Sequence, residues 1–297
     1  MNTILSIKNL SKSFGALKAL DNISFDIEKG KIYGILGPNG SGKSTTLGIV
    51  LNVVNKSSGE FTWFEGKVSH SEALKKVGAI IERPNFYPYM SARQNLELVC
   101  KIKESDPSRI DDILKSVNLF ERGNSKFKTF SLGMKQRLAI ASALVNDPEI
   151  LILDEPTNGL DPQGIHEIRE IIQGIASTGT TILLASHLLD EVEKICTEVV
   201  VIKRGKLLYS GPVKDMSNSL GTLHVSTQDM EQLKTELSNF EEIDSIQRQN
   251  GHFHIELKKP LDSNELNRRL FESGIVLSHL EKRTPSLEEE FLNLTES

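Results

Sequence analysis

Residues 32–44 have the sequence Ile-Tyr-Gly-Ile-Leu-Gly-Pro-Asn-Gly-Ser-Gly-Lys-Ser. The first five residues form a nearly continuous apolar run, which is typical of a strand buried in a parallel sheet. The next eight match the phosphate-binding pattern G-x-x-x-x-G-K-[ST], and residues 43–53 can form a helix. The stretch therefore predicts a strand, a phosphate-binding loop and a helix.

This loop is expected to hold a nucleoside triphosphate. Glycines let backbone N–H groups turn towards phosphate oxygens, and the N-terminus of the helix adds the positive end of its dipole. Lys43 is expected to reach the β- and γ-phosphates, and the Ser44 hydroxyl is expected to bind Mg²⁺. The predicted nucleotide contacts in the loop are Gly37, Asn39, Gly40, Ser41, Gly42, Lys43, Ser44 and Thr45.

Two later apolar runs predict further strands of the same sheet. Residues 150–153 form one run, and residues 181–185 form another after a helical pattern at residues 162–176. Apolar strands that alternate with helices imply a parallel sheet covered on both faces. The carboxyl ends of its strands are therefore expected to carry the chemistry.

Polar residues follow each of these two runs. Asp154 is placed to hold Mg²⁺ through its water shell, and Glu155 to polarise the water that attacks the γ-phosphate. His187 follows the second run, so we expect it to contact the γ-phosphate or to hold Glu155. Lys43, Glu155 and His187 are the predicted catalytic residues.

The two ends of the chain have a different pattern. Residues 4–10 and 17–27 alternate between polar and apolar, as antiparallel strands with one exposed face do. Residues 221–297 carry 8 basic and 15 acidic residues, so a domain boundary is predicted near residues 216–221. The tail predicts a small split β-α-β fold, with strands at 222–226, 243–249, 252–257 and 275–280 and helices at 228–239 and 262–273.

The composition excludes several classes of protein. The 297 residues have a net charge of −5, which argues against a broad nucleic-acid-binding surface. Cys100 and Cys196 are far apart, so neither a disulfide framework nor a zinc site is expected, and a reducing cytoplasm is indicated. No basic-then-apolar leader and no run of 18 apolar residues is found, so any membrane role would require another polypeptide.

Over residues 1–215 the sequence resembles the nucleotide-binding subunit of ATP-binding cassette (ABC) transporters. The resemblance implies a P-loop ATPase cassette of the α/β class, with a mainly parallel core sheet, an antiparallel β subdomain and a helical subdomain. We expect this domain to span residues 1–217, with a helical insert at about 83–145. Residues 218–297 are expected to form a small acidic α+β domain.

The family's signature sequence, Leu-Ser-Gly-Gly-Gln, corresponds to Phe-Ser-Leu-Gly-Met at residues 130–134. Ser131 and Gly133 are retained and are expected to contact the γ-phosphate bound by a partner copy. Leu132 and Met134 depart from the signature, and Met134 removes one polar contact. The resemblance also implies that Phe14 stacks on adenine and that Asp161 belongs to the loop crossing the dimer interface.

A further departure lies at Glu82, where most members carry a glutamine that contacts Mg²⁺ and the attacking water. An anion here is expected to bind the metal or to neutralise Arg83. With this substitution, the sequence Ser-Leu-Gly-Met-Lys-Gln at residues 131–136 and the acidic tail, the chain resembles the subgroup that moves bacitracin and lanthionine-containing peptide antibiotics for self-protection. In the insert, Phe86, Tyr87 and Tyr89 are candidates for contact with a membrane partner.

The implied function is that of a subunit that binds and hydrolyses ATP and powers export or self-protective removal of a peptide antibiotic. The cofactors would be ATP and Mg²⁺, and the partners a second copy of the chain and an integral membrane permease, without nucleic acid. The subunit would be cytoplasmic and peripheral on the inner face of the cell membrane. ATPases for another substrate, such as a drug or lipid, and soluble mechanical ATPases of the same fold remain alternatives.

Two features of the tail have simpler interpretations than a binding site. His252 and His254 share one face of a predicted strand, but no third metal ligand is evident nearby, so a solvated strand face is favoured. The acidic run at residues 288–290 is expected to be the exposed face of a helix.

Overall fold

The computed structural model describes residues 3–81, 85–216, 221–249, 251–283 and residue 291. The chain divides into two units, Met1–Val213 and Lys214–Ser297. The strands of the first unit are β1 (Thr3–Phe14), β2 (Leu17–Glu28), β3 (Ile32–Leu36), β4 (Ser58–Trp63), β5 (Val77–Ile80), β6 (Ile150–Asp154), β7 (Thr181–Ser186), β8 (Glu198–Lys203) and β9 (Lys206–Pro212). Its helices are α1 (Lys43–Val50), α2 (His70–Lys75), α3 (Ala92–Lys103), α4 (Ile110–Ser116), α5 (Leu132–Leu144), α6 (Pro162–Ser177) and α7 (Leu189–Ile195), and α8 (Val213–Met216) follows β9.

The main sheet of this unit has the order β5-β6-β7-β3-β8-β9. Its first five strands are parallel, and β9 returns antiparallel to β8. Every residue of β6 and β7 is buried. Because successive side chains of a strand point to opposite faces, both faces of these strands are covered. The three apolar runs predicted as strands are thus confirmed, and they place Leu36, Asp154 and Ser186 at one edge of the sheet.

The amino-terminal strands form a second sheet in the order β2-β1-β4, and both pairings are antiparallel. The predicted alternation of buried and exposed residues holds over most of β2 and is interrupted in β1, where Ile4 and Leu5 are both buried. Leu5, Ile7 and Ile23 join one apolar core with residues of the main sheet such as Ile35. Burial of each such side chain contributes about 1.5–3 kcal/mol. The polar positions remain on the solvent side.

Helix α1 is shorter than the predicted helix at residues 43–53, because it ends at Val50. Asn52 has a positive φ of 62°, and the amides of Val53 and Val54 both donate to Gly48 O, at 2.8 and 2.9 Å. These bonds satisfy a carbonyl at the end of the helix and turn the chain towards β4.

The region between β5 and β6 is built from α3, α4 and α5 with short 3₁₀ turns. Helix α3 begins with a capping box in which Ser91 and Gln94 each bond the other's backbone amide. Of the three aromatic residues considered as partner contacts, Phe86 packs edge-on against Phe127, with centroids 5.2 Å apart. Tyr87 and Tyr89 are exposed.

The second unit contains β10 (Thr222–Ser226), α9 (Met230–Leu237), β11 (Ile243–Gln249), β12 (His252–Leu257), α10 (Ser263–Glu272) and β13 (His279–Arg283). The strands pair antiparallel in the order β11-β12-β10-β13. The order of elements is the one predicted. The last strand was predicted at residues 275–280, which is wrong by several residues. Ile275 is buried in the apolar core, and its amide donates to Leu270 O at 2.9 Å, so it is hydrogen-bonded to the last turn of α10 instead of starting a strand.

Four histidines cluster on one face of this second sheet. The ring of His224 lies 3.9 Å from that of His254, and His252 lies 4.8 Å from His279. In the part of the chain that the structure describes, no group of three or more His, Cys, Asp or Glu side chains could hold a metal ion. The acidic run at residues 288–290 lies outside the described residues.

Candidate functional site

The loop between β3 and α1 is shaped by glycine. Gly40 and Gly42 have φ values of 78° and 116°, which residues other than glycine rarely adopt. A Cβ on Gly37 would lie 2.2 Å from the carbonyl oxygen of Ile202, so the loop approaches β8 too closely for any side chain. These glycines explain why the loop can hold its amides around a small anion.

The start of α1 has the groups that a phosphate needs. Gly42 occupies the N-cap position and offers no side-chain hydrogen bond to the first turn. The hydroxyl of Ser41 is buried and has no hydrogen-bond partner among the described residues. Free amides at a helix N-terminus, together with the dipole, bind phosphate well. The loop therefore fits the phosphates of a nucleotide.

Lys43 is the cation of this loop. Its side chain is 6% exposed, and Nζ donates to Gly37 O at 2.7 Å. Nζ also lies 3.6 Å from Glu155 Oε1, which comes from the end of β6. The ammonium is thus held at the mouth of the loop by a carbonyl and a carboxylate.

The two adjacent acids at the end of β6 lie in different backbone settings. Asp154 is the last residue of the strand and is buried. Glu155 has a φ of 49°, and its amide donates to Ala185 O at 2.9 Å. A left-handed conformation costs a non-glycine residue about 1–3 kcal/mol and is found preferentially at functional sites. The unfavourable turn directs the Glu155 carboxylate into the same cleft as Lys43.

His187 joins the same group from the end of β7. Its Nδ1 lies 2.7 Å from Glu155 Oε2. Because an ionised carboxylate only accepts hydrogen bonds, Nδ1 is the donor in this contact. The structure thus brings the three predicted catalytic side chains together, with Lys43 and His187 both in contact with Glu155.

Lys43 and Glu155 border a cleft of about 640 Å³, which is the size range of small-molecule sites. Phe14 lies at its rim and is 50% exposed, so it is available for stacking and is not a core residue. Lys12 Nζ lies 4.6 Å from the centre of that ring. The cleft is lined by Phe14, Leu17, Lys18, Ala19, Asn39, Gly40, Ser41, Gly42, Lys43, Ser44, Thr45, Glu155 and Arg204.

Two of the predicted oxygen ligands for a divalent cation lie at the start of α1 and at the end of β6. Ser44 offers a hydroxyl at the exposed start of α1, and Asp154 offers a carboxylate at the end of β6. Mg²⁺ prefers such oxygen ligands and keeps several waters. Glu82, the third predicted ligand, lies outside the described residues.

The predicted signature residues lie elsewhere in the unit. Ser131 is the N-cap of α5, and its Oγ accepts from the Met134 amide at 3.3 Å. Asp161 is the N-cap of α6 and accepts from the Gly164 amide at 3.0 Å. Neither these two residues nor Gly133 is among the described residues that line the cleft. Within one chain they do not meet Lys43, so a role at the nucleotide would need a second copy.

Sequence reasoning missed a buried carboxylate behind the site. Glu191 in α7 accepts from the Thr157 hydroxyl at 2.7 Å, and burial raises the pKa of its carboxyl group. It also missed Arg204, which borders the cleft from the turn between β8 and β9. No local motif marks either residue; Glu191 stands four positions after His187, and only the fold brings it next to Thr157.

Comparisons with known proteins match both units of the chain to family models. A family model described as ABC transporter matches residues 20–158, and one described as ATP-binding protein DrrA1-3-like, C-terminal domain, matches residues 211–295. The chain is 46% identical over 205 residues to the lantibiotic transport ATP-binding protein SrtF of Streptococcus pyogenes, covering 69% of this chain and 89% of that protein.

Two further comparisons concern the sequence over nearly the whole chain and the fold of the first unit. The bacitracin transport ATP-binding protein BcrA of Bacillus licheniformis is 35% identical over 308 residues, covering 99% of this chain and 98% of that protein. A dimeric post-hydrolysis structure of the ATP-binding cassette MJ0796 bound to ADP and Pi superposes with a TM-score of 0.62 at 27% identity, covering 70% of this chain and 98% of that chain.

Proposed function

Because this chain belongs to the ABC transporter family of ATP-binding proteins and is an ATPase of that family, we propose that two copies of it bind ATP between them and drive a transporter for peptide antibiotics. The observation that carries the enzymatic part is the contact of Glu155 with both Lys43 and His187, at 3.6 and 2.7 Å, at the mouth of a phosphate-binding loop.

The predicted site residues have separate tasks in this proposal. The loop amides and Lys43 bind the phosphates, and Phe14 stacks on the base. Glu155 accepts a proton from the attacking water, and His187 holds the Glu155 carboxylate in position through Nδ1. When bound by Ser44 and Asp154, Mg²⁺ would neutralise charge on the phosphates.

A second copy completes the site. Ser131 and Gly133, at the start of α5, are proposed to approach the γ-phosphate bound by the partner. ATP can favour a closed dimer only through contacts that the open state lacks, and a γ-phosphate bridging the interface supplies them. The dimeric MJ0796 structure supports this arrangement.

We propose a membrane permease as the partner and a peptide antibiotic as the substrate. Support comes from the names of two relatives, which are lantibiotic and bacitracin transport ATP-binding proteins. Among the described residues, no helix is both long and apolar enough to cross a bilayer. In the proposed complex a permease would therefore supply the membrane spans, and this chain would sit at the inner face of the membrane.

The substrate can be tested in cells that lack this chain. We expect deletion to lower the inhibitory concentration of bacitracin or of a lantibiotic, and the wild-type chain, but not Lys43→Ala, to restore it. Glu193→Ala, at an exposed position of α7, is the matched control and should restore resistance. Unchanged sensitivity to both antibiotic classes, with normal ATPase activity of the purified chain, would refute the proposed substrate class but not the proposed ATPase activity.

A further inference from the structure

A carboxylate is buried directly behind the Glu155–His187 pair. Glu191 lies in the first turns of α7 and is 2% exposed. Its Oε2 accepts from Thr157 Oγ1 at 2.7 Å and faces Ser186 Oγ at 3.4 Å. Thr157 and Ser186 are themselves buried, so this is an internal polar network.

The two hydroxyls belong to the two loops that carry the catalytic pair. Thr157 stands two residues after Glu155, in the turn that leaves β6. Ser186 ends β7 and immediately precedes His187, and its Oγ also accepts from the Leu188 amide at 3.0 Å. One carboxylate thus spans the turn after Glu155 and the turn around His187.

Helix stability alone does not explain this residue. An acid in the first turn of a helix gains from the dipole, but Asp190 already supplies one there and is exposed. Burial of a carboxyl group costs free energy unless its hydrogen bonds offset it, and an apolar side chain would fill the same space without that cost. The position therefore has a use that an apolar residue would not serve.

We propose that Glu191 is a positioning residue, which fixes the turns after β6 and β7 through Thr157 and Ser186 so that Glu155 and His187 remain in contact. The inference rests on the proposed role of that pair in ATP hydrolysis. Catalytic groups must be held close to their productive geometry, and a displacement of about 1 Å can cost about 10²-fold in rate. Glu191 would act entirely through the pair, without touching nucleotide.

The experiment removes the bridge from either end. Thr157→Val keeps the shape of the threonine but loses the hydroxyl, Glu191→Ala removes the carboxylate, and Glu191→Gln keeps an acceptor oxygen. We expect the first two to lower kcat by up to about 10²-fold with KM for ATP unchanged, and Glu191→Gln to retain most of the activity. Glu193→Ala, at an exposed position of the same helix, should retain wild-type kcat.

A double-mutant comparison separates positioning from general stability. If Glu191 acts through the pair, Thr157→Val should cost little further kcat once His187→Ala has removed the contact. An equal fractional loss of kcat in both backgrounds, or no loss in the wild-type background, would overturn the proposal. Thr157→Val also serves if Glu191→Ala does not fold.

A readout without ATP keeps the inference distinct from the proposed function. ¹H–¹⁵N NMR of the His187 ring reports the tautomer held by the 2.7 Å contact with Glu155. We expect Thr157→Val to shift these ring signals while Glu193→Ala leaves them unchanged. Identical spectra would overturn the positioning role even if the wild-type chain hydrolyses ATP. A wild-type chain without ATPase activity would instead refute the proposed function.

Discussion

Replacing Glu155 with glutamine tests the chemistry of the site with almost no change in shape. The amide keeps an oxygen that can face His187 Nδ1 or Lys43 Nζ, now 2.7 and 3.6 Å from the carboxylate. It cannot accept the proton of the attacking water at neutral pH. The change therefore removes the proposed general base, while Lys43 Nζ can keep its 2.7 Å hydrogen bond to Gly37 O.

The expected loss follows from the role assigned to Glu155. A general base contributes about 10²–10⁴-fold to turnover, which corresponds to about 3–5 kcal/mol of activation free energy. Nucleotide affinity should be unchanged or higher, because a negative charge next to the γ-phosphate position is removed while the loop and Lys43 remain.

Phosphate release under saturating Mg-ATP and calorimetric titration with ATP measure the two quantities separately. Glu193→Gln, on the exposed side of α7, is the control for the same chemical change and should match the wild type in both. A Glu155→Gln chain with kcat within tenfold of the wild type would show that Glu155 is not the base.

Lys43→Ala should abolish measurable ATP binding in the same titration without unfolding the chain, and retained binding would refute its role. Gly37→Ala should lower ATP affinity, because its Cβ would lie 2.2 Å from Ile202 O and displace the loop; an unchanged dissociation constant would contradict this. Leu266→Ala should destabilise the second unit by about 2–5 kcal/mol in urea unfolding, because the side chain is fully buried, and a loss below about 1 kcal/mol would contradict the packing. The pKa of His224 is lowered below 6.5, mainly by burial and secondly by the neighbouring His254. The unfolded state therefore binds that proton more readily, and the stability of this unit should fall as the pH drops below 6.5. Thermal unfolding should show a smaller decrease in His224→Gln, and an equal decrease would refute the assignment.

The elements around the phosphate-binding loop could be predicted because their signals are local. A continuous apolar run, a glycine-rich loop and a helical pattern stand next to one another at β3 and α1, and the parallel strands β6 and β7 repeat the apolar pattern. Parallel strands place their carboxyl ends at one edge, so the proximity of Glu155 and His187 follows from topology.

Other features depend on contacts that a local pattern does not contain. Ile275 is apolar and follows a glycine, which suggests a strand, but its side chain and amide close the end of α10. The left-handed turn at Glu155 and the bridge from Glu191 to Thr157 arise only when β6 and β7 lie side by side. The separation of Ser131 from the cleft likewise becomes visible only in three dimensions.

The molecular mass of the Glu155→Gln chain in solution, with and without ATP, tests the two-copy site most directly. The chain has a mass of 33.0 kDa, and the account predicts a species of twice that mass at saturating Mg-ATP and a monomer without nucleotide. Gly133→Arg should bind ATP yet stay monomeric. A Cβ at Gly133 meets nothing closer than 3.9 Å within its own chain, so the change should leave the fold intact and place a large side chain at the proposed interface. A Glu155→Gln chain that is saturated with ATP and still has the monomer mass would contradict the shared site.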